Sequence, residues 1–374
     1  MIYFDNAATG GKKPDAVLTA ATSALKLSAN PGRSAHRLSL ACATEVQNCR
    51  HALTEFFDGY SFERVAFTKN CTEALNIAIF SALADGGHAV TTALEHNSVL
   101  RPLEYLKRKG VAEYDVCPIE RGKINPQTLA SFVRKDTKAV VVTSASNVTG
   151  EQPDLQAVRA LLPPSVLFIV DGAQGGGHIP LKMCAYGIDA LCLAGHKGLF
   201  ALQGSGALLF SERFNPQPLL YGGTGSESFS LAMPDFYPDA LESGTLCYPA
   251  VVSLLAGIRY LTYHGTEIAQ KLRRLTAVLL RGLKKIPAYR AYSEPNPCGI
   301  VSFSHERLDS EYLALLLSEK YGFATRGGLH CAPLAHQAFG TSDGGLLRVS
   351  FGHDNDEKEV DALLFALKEI ENNL

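Results

Sequence analysis

Two apolar runs near the middle of the chain end on residues that can do chemistry. VLFIVDGAQ (166–174) closes on Asp171, with Gln174 behind it in a Gly-rich turn; ALCLAGHKG (190–198) delivers His196 and Lys197 into a Gly-bounded loop. As neighbouring strands of an open α/β sheet, both would present these groups to the crevice outside the strands' carboxyl ends, where ligands bind. An acid and a lysine aimed into one crevice suit pyridoxal phosphate. The lysine forms a Schiff base, and the acid keeps the pyridinium nitrogen protonated so that the ring draws electrons. By itself the pair fits equally a surface lysine in a turn and an aspartate capping a helix.

Three further strand-like runs end on polar groups. ERVAFT (63–68) leads into Asn70-Cys71-Thr72-Glu73, where a Thr hydroxyl and free amides at a helix N-terminus make a phosphate site or an ordinary N-cap. His96 follows a strand in ALEHNS (93–98) and suits stacking on a flat ring and proton transfer, or a structural loop position. Asn147, in SASNVTG (144–150), offers an amide to a phenolate oxygen or makes an Asx-turn. Each is weak alone. Their agreement on one edge of one sheet strengthens the cofactor reading.

Farther along, ATRGGLHCAPLAH (324–336) sets Cys331 among Gly, Pro, Arg326 and His330. A positive neighbourhood raises a thiol's thiolate fraction, as a nucleophilic cysteine needs. A small buried structural thiol describes Cys184 or Cys192, on their apolar runs, better than Cys331. Arg348 is a charge inside the apolar run LLRVSF (346–351). It suits a substrate carboxylate as a bidentate partner, or a salt bridge on an exposed strand face.

The elements that must hold these residues alternate along the chain. Strand-like runs at 63–68, 88–93, 111–116, 138–144, 166–171 and 190–194 are separated by helical patterns, which argues a mainly parallel, doubly wound sheet. SGALLF (205–210) follows too soon for a crossover helix and is expected to pair antiparallel. Helices are expected at 15–27, with Asp15 as cap, and at 38–57. The segment 221–249 has no periodicity and reads as a functional or interfacial loop. Helix is expected over 249–286 with a break at His264-Gly265. Runs at 299–304 and 346–351, with helices at 310–320 and 355–372, suggest a smaller α+β domain. The expected division is a large domain over 15–250 and a small one made of 1–14 and 251–374.

The whole chain of 374 residues is 46% hydrophobic and 19% charged, with net charge −2. These values suit an ordinary globular protein and give no electrostatic reason to expect nucleic acid or a membrane surface as partner. No apolar stretch is long enough to span a bilayer. The opening MIYFDNAATGG lacks the basic and apolar regions of a secretory leader. Nine scattered cysteines, with no CxxC pair or zinc spacing, suit reduced thiols. Cytoplasm is the expected location, and no metal is expected.

YFDNAAT (3–9), NPGRSAHRLS (30–39), FTKNCTEALN (67–76), EHNS (95–98), SNVTG (146–150), VDGAQ (170–174), GHKG (195–198), ESGT (242–245) and RGGLHC (326–331) occur in this order. With them the chain resembles the class V aminotransferase family of fold-type I pyridoxal phosphate enzymes, on the cysteine desulfurase and selenocysteine lyase branch. The short loop before Arg348 is similar to the group II desulfurases. The resemblance implies a mainly parallel seven-stranded sheet in the large domain. It implies that Lys197 binds pyridoxal 5'-phosphate covalently, His96 stacks on the ring, Asp171 pairs with the ring nitrogen, and Gln174 and Asn147 bond the phenolic oxygen or substrate. Thr72 and His196 would bind phosphate, joined by Thr245 from the other subunit of a homodimer. Arg348 would bind the substrate carboxylate, with Arg326 lining the pocket.

On that pattern L-cysteine becomes L-alanine, and Cys331 accepts the sulfur as a persulfide for an acceptor protein whose identity the sequence does not disclose. L-Selenocysteine is the alternative substrate, and transamination or β-elimination without Cys331 the alternative chemistry. A scaffold lacking activity is disfavoured by the presence of Asp171, Lys197 and Cys331. A nicotinamide dehydrogenase is disfavoured by the lack of a GxGxxG turn after the first strand. The chain departs from the family at Ala194, where Ser is common, and after the lysine, where GLFALQGSG stands.

Overall fold

The computed structural model describes residues 1–27, 29–32 and 34–374. Arg33 of the NPGRSAHRLS motif lies outside the described residues. The chain opens with β1 (Ile2–Tyr3), α1 (Asp15–Lys26) and α2 (Arg37–Phe56). The alternating part runs β2 (Val65–Thr68), α3 (Cys71–Ala82), β3 (Gly87–Thr92), α4 (Asn97–Arg108), β4 (Ala112–Cys117), α5 (Pro126–Ser131) and β5 (Thr137–Thr143). It continues through α6 (Leu155–Leu161), β6 (Leu167–Asp171), α7 (Met183–Tyr186), β7 (Ala190–Ala194) and β8 (Gly206–Phe210). After a long irregular segment come α8 (Tyr248–Leu283), β9 (Tyr289–Ala291), β10 (Ile300–His305), α9 (Ser310–Tyr321) and β11 (Phe323–Ala324). The chain closes with α10 (Pro333–Phe339), β12 (Leu347–Ser350) and α11 (Glu357–Asn372).

Seven strands form one sheet in the order β2-β8-β7-β6-β5-β3-β4. All neighbours are parallel except β8, which runs antiparallel to both β2 and β7. Strands buried on both faces need apolar side chains throughout, and β2, β7 and β8 are buried at every position. Apolar cores lie on either side of this sheet, one under α8 and one under α3 and α4. β10 pairs with β12 and β9 in a second, antiparallel sheet, while β1 pairs parallel with β11.

Register brings the strand ends level. Thr143, Asp171 and Cys192 lie side by side across β5, β6 and β7. Gly206 of β8 pairs with both Thr68 and Ala194, so α3 starts beside the loop that follows β7. Only glycine fits there, because a Cβ on Gly206 would stand 2.6 Å from the Asn70 carbonyl carbon.

Two local expectations are corrected. Asp15 does not cap α1: Pro14 holds the cap position without a side-chain bond, and Asp15 is the first helical residue. Nor does α8 break at His264-Gly265; it runs unbroken for 36 residues. One glycine costs a helix about 1 kcal/mol. The buried stripe Leu261, Ile268, Leu272, Leu275 and Leu279 carries the helix across it. β9, β11, α7 and α10 were not anticipated and are too short to show a period.

The two glycines of α8 should respond oppositely to the same substitution. A Cβ on Gly265 meets nothing nearer than 3.9 Å, so Gly265→Ala should stabilise by about 1 kcal/mol. A Cβ on Gly257 would stand 2.0 Å from the Leu199 carbonyl oxygen, so Gly257→Ala should destabilise by about 1–3 kcal/mol. Urea denaturation midpoints of the two variants check both signs.

Candidate active site

The loop after β7 is fixed from two sides. From the N-terminal segment, Gly10 N and Lys13 Nζ donate to the His196 carbonyl at 2.9 and 3.0 Å, and Thr9 Oγ1 lies 3.0 Å from His196 Nδ1. From the turn after β6, Gly176 and Gly177 press on Gly198, where Cβ atoms would approach backbone oxygens to 2.3 Å. Lys197 is thereby held beside Asp171.

Thr72, His96, Asn147, Asp171, Gln174, His196 and Lys197 line one cleft with Ala194, Ser98 and Cys71. Asp171 is buried, its Oδ1 accepting from Ala173 N at 2.8 Å and from Cys71 Sγ at 3.4 Å. Burial lowers the Lys197 pKa from its usual value, with Asp171 opposing the shift. Burial likewise lowers His96, again opposed by Asp171. The His96 ring caps α4 by accepting Ser98 N at Nδ1, 3.0 Å away, so the neutral ring carries its proton on Nε2. His196 is pushed down to about 4 by burial and by Lys197 and Lys13, and is neutral near pH 7.

Some predicted residues are engaged otherwise than expected. The Asn147 side-chain amide donates to the His330 carbonyl at 2.7 Å, and that of Gln174 to the Ala7 carbonyl at 3.0 Å. Arg348 lies on no exposed face: it is 1% exposed, donating to Asp5 Oδ1 and to the Asn147 carbonyl, both at 2.9 Å. Its Nε has no hydrogen-bond partner. Half-buried Arg326 pairs antiparallel with Arg348 through the backbone.

Cys331 is exposed, as is Cys184, whereas Cys192 is buried. His330 and Cys331 both adopt left-handed backbone, with φ of 51° and 56°, which costs non-glycine residues about 1–2 kcal/mol each. Contacts next to Cys331 help to hold the loop in place. Asn97 N donates to the Cys331 carbonyl at 2.7 Å, Asn147 holds the His330 carbonyl, and His330 Nε2 donates to the Leu346 carbonyl at 3.0 Å. Cys331 therefore sits at the rim of the cleft, against the residue that follows His96. Thr245 is exposed, outside the cleft of its own chain. The segment before it is anchored by Glu242, which takes Arg50 bidentately at 2.8 and 2.6 Å and accepts Phe67 N at 2.6 Å. A groove of about 950 Å³ between α2 and α8 contains none of the predicted residues. Among the described residues no cluster of His, Cys, Asp or Glu is arranged to bind a metal, and no helix is long and apolar enough to cross a membrane.

The sequence reading missed Glu95, Ser98 and Asp5. A buried acid beside a loop histidine has no periodic signature; the one available signal was an acid directly after an apolar strand.

The Aminotransferase class-V family model matches residues 2–363, and the chain belongs to that family. A probable cysteine desulfurase of Methanothermobacter thermautotrophicus is 32% identical over 381 residues, spanning 99% of this chain and 94% of its own. The apo structure of a cysteine desulfurase from Thermococcus onnurineus matches with a TM-score of 0.91 at 30% identity, over 100% of this chain and 95% of that one. The cysteine desulfurase CsdA of Escherichia coli, in an S-sulfonic acid form, gives 0.90 at 25% identity over the same shares, 100% and 95%.

Glu95 is fully buried and its carboxyl is pushed up to about 8, chiefly by burial, against the bonds from Thr92 and Thr143. Those bonds, 2.6 and 3.0 Å long, both fall on Oε1. A raised folded-state pKa means that the stability it contributes is full below the unfolded value of about 4.3 and is lost as pH rises toward about 8. Glu95→Gln removes this titration. The stability of the variant relative to the parent should rise steadily between about pH 5 and about pH 8, read as the difference in urea midpoints.

Proposed function

We propose that this class-V chain is a pyridoxal 5'-phosphate-dependent cysteine desulfurase that converts L-cysteine to L-alanine. The observation that carries the reading is the docking of the Cys331 loop, through Asn97 and Asn147, onto the rim of the cleft that collects Asp171 and Lys197.

The donor set fits the cofactor. A buried carboxylate suits a ring nitrogen, an amine of lowered pKa suits an aldehyde carbon, and hydroxyls at helix N-termini suit a phosphate. Lys197 would hold it through Nζ, Asp171 would face its nitrogen, and His96 would cover one face of its ring. Thr72 and His196 would hold its phosphate. Gln174 and Asn147 retain side-chain oxygens, and their amides are committed to carbonyls, so they position the surrounding loops as well as any bound group. When bound, the cofactor supplies an electron sink that makes the substrate's α-proton removable.

The chain's own groups then have distinct tasks. Arg348, preset by Asp5 and the Asn147 carbonyl, would take the substrate carboxylate, with Arg326 beside it. Lys197 Nζ, its proton affinity reduced by burial, would accept the α-proton and return it. Cys331 Sγ would bond to the substrate sulfur as the Cβ–S bond breaks. The thiol becomes a persulfide, and the three-carbon remainder leaves as L-alanine. Exposure of Cys331 at the rim suits delivery of that sulfur to an acceptor protein. The same groups would serve L-selenocysteine.

A homodimer completes the proposal. Tyr221, Phe229 and Leu231 stand 77%, 104% and 106% exposed on the loop that leads to Thr245. A second copy of the chain would cover these side chains, and its Thr245 would then reach the phosphate end of the neighbouring cleft. Nine free cysteines support a reducing compartment such as the cytoplasm.

Incubation with L-cysteine and a reductant should give alanine and sulfide in equal amounts. Cys331→Ala should lose both, with rates down by about a thousandfold or more, while keeping the bound cofactor's visible absorbance. Pyruvate or a keto acid as the product, or desulfuration surviving in Cys331→Ala, would refute the reading.

A further inference from the structure

The phosphate end of the cleft contains a hydroxyl that helix capping does not require. α3 and α4, each 12 residues long, begin side by side there. Thr72 and Ser98 are the second residues of the two helices. Their Oγ atoms lie 2.8 Å apart, and both residues line the cleft. Serine near a helix start normally serves as the cap. Here the caps are other residues: Asn70 Oδ1 accepts Glu73 N at 2.9 Å, and His96 Nδ1 accepts Ser98 N at 3.0 Å. Both hydroxyl protons therefore remain free to be redirected. β7 ends on Ala194, which lines the same cleft and has no side-chain donor.

Resting on the function proposed above, we infer that Ser98 is a phosphate-binding residue of this chain, paired with Thr72. The two oxygens are spaced like two oxygens of one phosphate group, so each hydroxyl can donate to its own phosphate oxygen. The first two amides of α3, those of Cys71 and Thr72, lack intrahelical carbonyl partners. The Ser98 hydroxyl lies 2.9 Å from His96 Nδ1 and 2.8 Å from Thr72 Oγ1. When phosphate binds, the hydroxyl swings away from the ring, leaving Nδ1 with the Ser98 amide as its remaining donor. The same side chain thus links the phosphate to the histidine expected to lie over the ring. The Ser98 hydroxyl is a donor that Ala194 cannot provide.

The test separates the phosphate from the rest of the cofactor. The chain is stripped of cofactor, then titrated with pyridoxal 5'-phosphate and, separately, with pyridoxal, following visible absorbance. Ser98→Ala should weaken pyridoxal 5'-phosphate by about tenfold or more and leave pyridoxal unchanged, because one hydrogen bond to a charged group is lost. Ser98→Thr should bind both as the parent does. Equal weakening of both ligands, or of neither, overturns the assignment and leaves the proposed function standing. A parent chain that develops no absorbance with pyridoxal 5'-phosphate overturns the function and this inference together.

Discussion

Main chain pressed against main chain fixes Lys197 relative to Asp171. The turn after β6 and the loop after β7 touch through Gly176, Gly177 and Gly198, and α8 meets the next residue, Leu199, through Gly257. A methyl group at any of these contacts would overlap a backbone atom, and backbone cannot move aside as a side-chain tip can. The spacing of acid and amine is therefore set by glycine, not by a direct bond between the two. The rest of the site is arranged around that frame. The N-terminal segment closes on the His196 carbonyl, and the Cys331 loop closes on the opposite rim.

Buried charge adds specificity to this frame. Arg348 and Arg50 are both buried, and each is matched by a carboxylate and a backbone carbonyl. Such pairs contribute little net stability, because desolvation offsets much of the attraction. They do exclude wrong arrangements, since a misplaced segment would strand a guanidinium without a partner. Arg50 thus ties the segment before Thr245 to β2, and Arg348 ties the start of the chain to the edge of the second sheet.

The strands and their order of use were legible in the sequence for a simple reason. Central parallel strands are short continuous apolar runs, and the residues that follow them must lie on one edge of the sheet. Hence Thr72, His96, Asn147, Asp171 and Lys197 were found together. What stayed hidden depends on partners remote in the chain. Nothing local to Asn147 signals that its amide is committed to a carbonyl 183 residues away. The apolar run around Arg348 does not disclose Asp5. The Thr72–Ser98 hydroxyl pair is a relation between two helix starts, visible only once the helices stand side by side. Local signals also misled at His264-Gly265, where tertiary packing outweighs the helix propensity of two residues.

The Asp5–Arg348 pair joins residues 343 positions apart, and Asn6 reaches the Ser350 carbonyl across 344. Neither contact can form until the more than 340 residues between the partners are in place, and non-local closure of this kind is slow. Residues 1–9 must wait for β12 before they can close against the Lys197 loop and Arg348 together. The site is therefore a late product of folding. A truncated chain, even one retaining the whole seven-stranded sheet, would keep its lysine and aspartate but lack the enclosure around them.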